Sequence, residues 1–182
     1  MIDVLSFPDE GSVLDRGPRP AHPVRLTLTD GVLAGTQQAL RSCSGGRREA
    51  LTLWAGRPVD GGALITHVII PTVQSGYDRL DVPGAARAEV ATFLRRERLL
   101  VFADLHTHPA QAFLSHADRV SPYSTLTGFH AIVIPDFATG APGAGWRLYT
   151  YTDSDWKEND CAGYISPWPW RSDRTLPATI GS

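Results

Sequence analysis

The stretch from Glu49 to Val73, EALTLWAGRPVDGGALITHVIIPTV, limits the possible fold more than any other part of the chain. Two runs rich in β-branched and apolar residues flank Asp60, Gly61 and Gly62, which suit a tight reversal, so an antiparallel hairpin is expected. Upstream, Val24, Leu26 and Leu28 alternate with Arg25, Thr27 and Thr29, the pattern of a half-buried strand. Asp30 then offers an N-cap for a helix through Leu40 or Cys43, which Ser44, Gly45 and Gly46 end. After the polar loop QSGYDRLD, residues Ala86, Val90, Phe93 and Leu94 recur at helical spacing from about Pro83 onward, with arginines gathered toward the C-terminal end. Leu99 to His106, FHAIVIPDF and GWRLYTYTD supply three more strands, the last two joined by the Gly/Pro/Ala loop around Gly140 to Gly145. The element order predicts an α/β fold: a single mixed, mostly antiparallel sheet flanked by helices.

A chain of 182 residues buries one good core and is short for two. We expect an irregular N-terminal arm over 1–21, rich in Pro, Gly, Asp and Arg, a single domain over 22–155, and a Pro/Trp-rich tail over 156–182. Within that tail Trp168 and Trp170 are expected to pack back onto the domain, with docking of a partner as the alternative. The formal net charge is −2 and the basic residues are scattered, with Lys157 the only lysine, so there is no electrostatic footprint for nucleic acid or an anionic membrane. The N-terminus lacks the basic start and apolar run of a secretory signal, and no segment approaches bilayer-spanning length, so a soluble, cytoplasmic protein is expected. Cys43 and Cys161 stand far apart, outside any paired-cysteine spacing, and indicate neither a disulfide framework nor a thiolate metal site.

The chemistry concentrates in FADLHTHPAQAFLSHAD, Phe102 to Asp118. Side chains on a strand alternate between faces, so His106 and His108 point the same way, as does Asp104, while Thr107 points to the other side. Pro109 ends the strand, and Ser115 and Asp118 can return toward the histidines from the loop that follows. A catalytic zinc ion takes three protein ligands from His, Asp or Glu and leaves a fourth position to water. His106, His108 and Asp118 meet that count. A hydrolase then needs a carboxylate base and an oxyanion donor, and Ser115 is a candidate for the donor. Ser115 and Asp118 also have the spacing of a capping box, a structural role compatible with the catalytic one.

These residues resemble the JAMM metalloprotease motif of the JAB/MPN domain family: a glutamate, then His-Ser/Thr-His-Pro, then Ser-x-x-Asp. The chain supplies His106-Thr107-His108-Pro109 and Ser115-His116-Ala117-Asp118, and its element order from about Leu26 to Thr152 is similar to that family's central sheet and two main helices. The resemblance implies an MPN/JAB-like sandwich of the cytidine-deaminase-like type, with Zn2+ held by His106, His108 and Asp118. It also implies that Glu49, placed before the strand that follows the first helix, is the catalytic base, and that Ser115 assists the oxyanion. Glu89 and Glu97, on the second helix, are read as solvated or ion-paired. In one respect the chain departs from the family pattern: the loop Pro109 to Leu114 between His108 and Ser115 has six residues, one fewer than usual. His116 is read as a rim residue, and His67 and His130, inside apolar strands, as structural.

The substrate class implied by the resemblance is the amide or isopeptide bond after the C-terminal tail of a ubiquitin-like protein. The compact bacterial members of the family imply further partners, E1-like and E2-like proteins, in some cases within antiphage systems. Two other readings stay open: a non-catalytic MPN scaffold, and a zinc amidohydrolase acting on a sulfur-carrier fusion or a small amide.

Overall fold

The structure, a computed structural model, describes residues 2–6, 24–75, 77 and 80–167. Among these the elements run β1 (Asp3–Ser6), β2 (Arg25–Leu28), α1 (Val32–Ser44), β3 (Leu51–Val59), β4 (Gly62–Ile70), β5 (Gln74–Ser75), β6 (Leu80–Asp81), α2 (Gly84–Glu97), β7 (Leu100–Thr107), α3 (His116–Val120), β8 (His130–Ile134), β9 (Arg147–Thr152), β10 (Asp155–Asn159), α4 (Cys161–Tyr164) and β11 (Ile165–Ser166). The predicted hairpin is β3–β4, turning at Asp60 and Gly61, and it forms the middle of a nine-stranded sheet ordered β10-β9-β8-β7-β3-β4-β2-β11. β1 pairs with the length of β4 that β2 leaves open. Pairing is mostly antiparallel; β7–β8, β2–β4 and β2–β11 are parallel.

Chain length alone requires this sheet to curl. Laid flat, the seven steps from β10 to β11 would span about 34 Å at about 4.8 Å each. Only residues 160–164 join the two strands, and that segment reaches about 22 Å at most when fully extended. The curl brings β8 against the entry to β2, where the buried His130 donates from Nε2 to the Val24 carbonyl at 2.8 Å. Its Nδ1 then accepts from the Thr150 hydroxyl at 2.9 Å. Burial pushes the His130 imidazole down to about 4, so it is neutral at physiological pH, as its structural role requires.

Each face of the sheet has its own apolar layer. On one, Leu40 of α1 packs with Trp54, Phe102, Leu105 and Ile132, and the Trp54 indole N–H donates to Thr36 Oγ1 at 2.7 Å. On the other, Ala86 and Val90 of α2 cover Leu51, Leu53 and Ile69, the face that the sequence assigns to this helix. The pleat is interrupted at the centre. Trp54 opposes Ala103 and Ala55 opposes Val101, so Phe102 is an extra residue on β7; Ala55 opposes His67 and Gly56 opposes Ile65, so Thr66 is an extra residue on β4. At this double irregularity the backbones come so close that a Cβ on Gly56 would lie 1.9 Å from the Leu64 carbonyl oxygen.

Three expectations need correction. Asp30 does not cap α1; the N-cap is Gly31 at φ 86°, and the chain enters the helix through a backbone turn, Val32 N–H to Thr29 O at 3.3 Å. A left-handed residue supplies here what a side-chain cap supplies elsewhere. Asp3–Ser6, expected to be irregular, is a strand, because the free edge of β4 satisfies its backbone groups and Val4 packs against the α2 layer. The expected boundary at 155 falls at the start of β10, and the sheet continues to Ser166. Most of the N-terminal arm, with Trp168 and Trp170 of the tail, lies outside the described residues. Among the described residues no helix is long and apolar enough to cross a membrane.

Gly56→Ala is expected to lower unfolding free energy in urea by about 1–3 kcal/mol or more through overpacking of the bulge. Gly140→Ala, where a Cβ meets nothing within 4 Å, should stay within about 0.5 kcal/mol of the parent.

Candidate metal centre

Beyond the extra residue Phe102, the pleat of β7 is reversed. Val101 shares the α2 layer, Ala103 and Leu105 join the α1 layer, and Asp104 and His106 therefore come to the α2 side, opposite Leu53 and Leu51 of β3. His108, just past the strand end, follows the same parity, and both imidazoles are buried. Thr107 points the other way, as expected, and has a task there: its Oγ1 accepts the Ala50 N–H at 2.9 Å while its own N–H donates to the Ala50 carbonyl at 3.0 Å. That reciprocal pair anchors the chain beside Glu49, which is itself buried, and brings Glu49 Oε1 to 3.9 Å from His108 Nε2.

The backbone of His108 is gripped from the far side. Its N–H donates to Ile134 O and its carbonyl accepts from Phe137 N–H, both at 2.9 Å. Around the second partner Asp136, Phe137 and Ala138 hold φ of 51°, 50° and 62°, a run of three non-glycine residues in left-handed conformation that costs energy unless its surroundings enforce it. α1 does so: Arg41 donates to Thr139 O at 2.7 Å and to Gly140 O at 3.0 Å, Ser44 Oγ donates to Phe137 O at 3.0 Å, and Gln37 Nε2 donates to Ala138 O. The sequence carries little local signal for this turn: Asp136 is of a type that enters the left-handed region, but Phe137 and Ala138 are not.

Ser115 and Asp118 form the capping box that their spacing predicts. Asp118 N–H donates to Ser115 Oγ at 3.2 Å, and Ser115 N–H donates to Asp118 Oδ2 at 2.7 Å. Fixed in this way, Asp118 Oδ2 stands 3.6 Å from His106 Nε2 and 3.4 Å from His108 Nε2. His106 Nε2 is buried with no hydrogen-bond partner. Two ligands at about 2.0–2.1 Å on a tetrahedral ion lie about 3.3–3.4 Å apart, so these separations, too long for hydrogen bonds, suit ligands of a common cation. The three predicted ligands, His106, His108 and Asp118, are thus brought together, with their ligand atoms within 4.8 Å of one another. Glu49 and Ser115 border the same space. The one-residue-shorter loop does not prevent this convergence; its Phe113 is half exposed and packs edge-on against the His108 ring at 5.1 Å between centroids.

The electrostatics favour a cation. Burial works against charge on His106, but the hydrogen bond with Asp104 and the neighbouring Asp118 outweigh it and hold the imidazolium up to about 10. Burial likewise opposes the Asp118 carboxylate, and the two histidines overcome it, holding the group well below the usual carboxylate range. A set of groups that binds a proton this firmly offers a divalent ion the same negative potential. The site opens into a cleft of about 480 Å³ with apolar walls that include Leu80, Leu114, Val120 and Tyr123. Of the remaining histidines, His116 is exposed outside the cluster, and His67 bonds to Thr66 at 2.7 Å and faces Ser6.

Because His106 is raised above the ordinary value of about 6.5, its proton is present at pH 7 and must leave for Nε2 to coordinate. Binding of a divalent cation at pH 7 is therefore expected to release about one proton, read by titration calorimetry in buffers of differing ionisation enthalpy, and cation affinity should fall as pH falls.

No family model matches the chain. A curated protein of Sinorhizobium fredii, "Probable metalloprotease y4jG", is 28% identical over 117 residues, which is 62% of this chain and 72% of that protein. The solution structure of protein DSY2949 from Desulfitobacterium hafniense aligns with a TM-score of 0.59 at 16% identity, over 77% of this chain and 90% of the other, a likeness of fold alone.

Proposed function

We propose that this chain is a JAMM-type zinc-dependent peptidase or isopeptidase that hydrolyses the bond after the C-terminal tail of a ubiquitin-like protein. The observation that carries the metallopeptidase part is the convergence of His106 Nε2, buried and unpartnered, with His108 Nε2 and Asp118 Oδ2 beside the carboxylate of Glu49. The distant relative named as a probable metalloprotease supports the same part. The ubiquitin-like specificity rests on the resemblance of the motif.

A bound zinc ion would supply Lewis acidity and lower the pKa of water toward about 7. Glu49 Oε1 takes the proton of the attacking water and delivers it to the departing amine; its burial among strand residues keeps bulk water from competing for that proton. Ser115 serves in two ways at once. Its Oγ lone pair receives the Asp118 N–H, while its O–H remains to donate to the oxygen on which negative charge develops. The short β5–β6 pair borders the cleft through Leu80 and Asp81, and its backbone edge suits an extended tail. The proposed partners are the ubiquitin-like substrate and E1-like and E2-like proteins of a bacterial pathway, antiphage defence among them.

Purified protein is expected to hold zinc near one per chain and to cleave ubiquitin-like precursor fusions. Glu49→Ala should lower turnover by about 10²–10⁴-fold with zinc content unchanged. Ser115→Ala should lower turnover on the order of a hundredfold and stability by about 1 kcal/mol, since it removes both donor and cap. Zinc binding without cleavage of any amide would leave a scaffold; cleavage of short amides alone would move the substrate class to small molecules.

A further inference from the structure

Asp104 has no part in the motif that the chain resembles, yet it is buried two register pairs inward of His106 on the same face. Its Oδ1 lies 3.1 Å from His106 Nδ1. The neighbouring positions on this face carry no competing acceptor side chain: Leu53 and Ala131 flank Asp104, and Leu51 and Val133 flank His106. The other ring nitrogen, Nε2, is the unpartnered atom that faces Asp118. We propose that Asp104 is a positioning residue of the metal centre: by accepting the Nδ1–H of His106 it fixes the tautomer and the ring angle that aim the Nε2 lone pair at the ion.

The argument is one of satisfiability. A neutral imidazole carries one N–H and one lone pair, and which nitrogen carries the proton is set by the partner of the other. In this apolar wall an Nδ1–H without Asp104 would be buried unpaired; the ring would turn, or move its proton to Nε2, and either change removes a ligand. His108 is placed differently, by its gripped backbone and by Phe113 against its ring. Asp104 therefore acts on one ligand and not the other. Its own position on this face depends on the extra residue Phe102, which reverses the pleat of β7.

This inference rests on the zinc reading of the site, and the test separates the two. Zinc affinity is measured by chelator competition for the wild type, Asp104→Ala, the near-isosteric Asp104→Asn, and His106→Ala as the control for ligand loss. In parallel, histidine-selective nitrogen and proton NMR of zinc-loaded wild type looks for an exchange-protected low-field Nδ1 proton on His106. Asp104→Ala is expected to bind zinc about 10–100-fold more weakly than wild type, with a perturbed cobalt(II) absorption spectrum; Asp104→Asn, whose amide oxygen can still accept the Nδ1–H, should recover part of that loss, and the protected proton should be present in wild type. Wild-type-like zinc affinity in Asp104→Ala would overturn the role of Asp104 while leaving the metal site intact, and so would absence of the protected proton from zinc-loaded wild type. A wild type that binds no zinc would remove both readings together. Should Asp104→Ala not fold, the protected proton of zinc-loaded wild type decides the question.

Discussion

The arrangement of the site depends on the register slip between β3 and β7. Strand side chains alternate with a period of two, so an unbroken β7 that kept Val101 in the α2 layer would carry Ala103, Leu105 and Thr107 there as well. Asp104 and His106 would then point into the α1 core among Trp54 and Ile132. The extra residue at Phe102 inverts this order, so that apolar side chains fill both layers and the polar ones gather on one face at the strand's C-terminal end. A single extra residue on β7 thus sets the face that the site residues occupy, while the close approach at Gly56 belongs to the neighbouring irregularity between β3 and β4.

Burial is the second constraint. Glu49, Asp104, His106 and His108 are each shielded almost completely from solvent, and charge in such surroundings must be paired or neutralised. The hydrogen bonds present go part of the way: Asp104 takes one ring nitrogen of His106, and Ser115 N–H takes one lone pair of Asp118. What is left over is directional, consisting of two imidazole Nε2 atoms and a carboxylate oxygen aimed at one small volume. Packing enforces that aim. The Ala50–Thr107 pair, the left-handed turn at Asp136–Ala138 and the capping box each tie one ligand-bearing segment to a different part of the scaffold. The ligands are therefore arranged before any ion arrives.

Much of this was legible in the sequence, and what was not has physical reasons. The β3–β4 hairpin, α2, β7 and the capping box follow from alternation, helical spacing and turn residues, all local signals. The three metal-ligand candidates followed from strand parity together with the motif. Strand parity also placed Asp104 on the right face, but its pairing with His106 through the ring's second nitrogen is a matter of distance. The bulge left no mark, because Ala103, Leu105 and Phe102 are apolar and suit either face. β1 and β11 carry no such signal because short edge strands gain their stability from partners far away in sequence, β4 and β2; β10 pairs with the adjacent β9, but its polar sequence DWKEN shows little apolar alternation. Asp30 misled because a left-handed glycine performed the task for which the aspartate was suited.

The curl of the sheet has a consequence for the order in which the molecule can be made. β11 is the last strand described and its partner β2 is among the first, so that parallel pairing waits until residue 166 has been synthesised. The metal-ligand candidates, Glu49 and the left-handed turn all fall between residues 49 and 138, on elements whose strand partners lie mostly within the same span. A growing chain can accordingly assemble the hairpin, β7 and β8 with their mostly nearby partners first, and close the long-range seam last. In such a chain the half that carries the candidate metal centre is nascent structure, and the seam marks its completion.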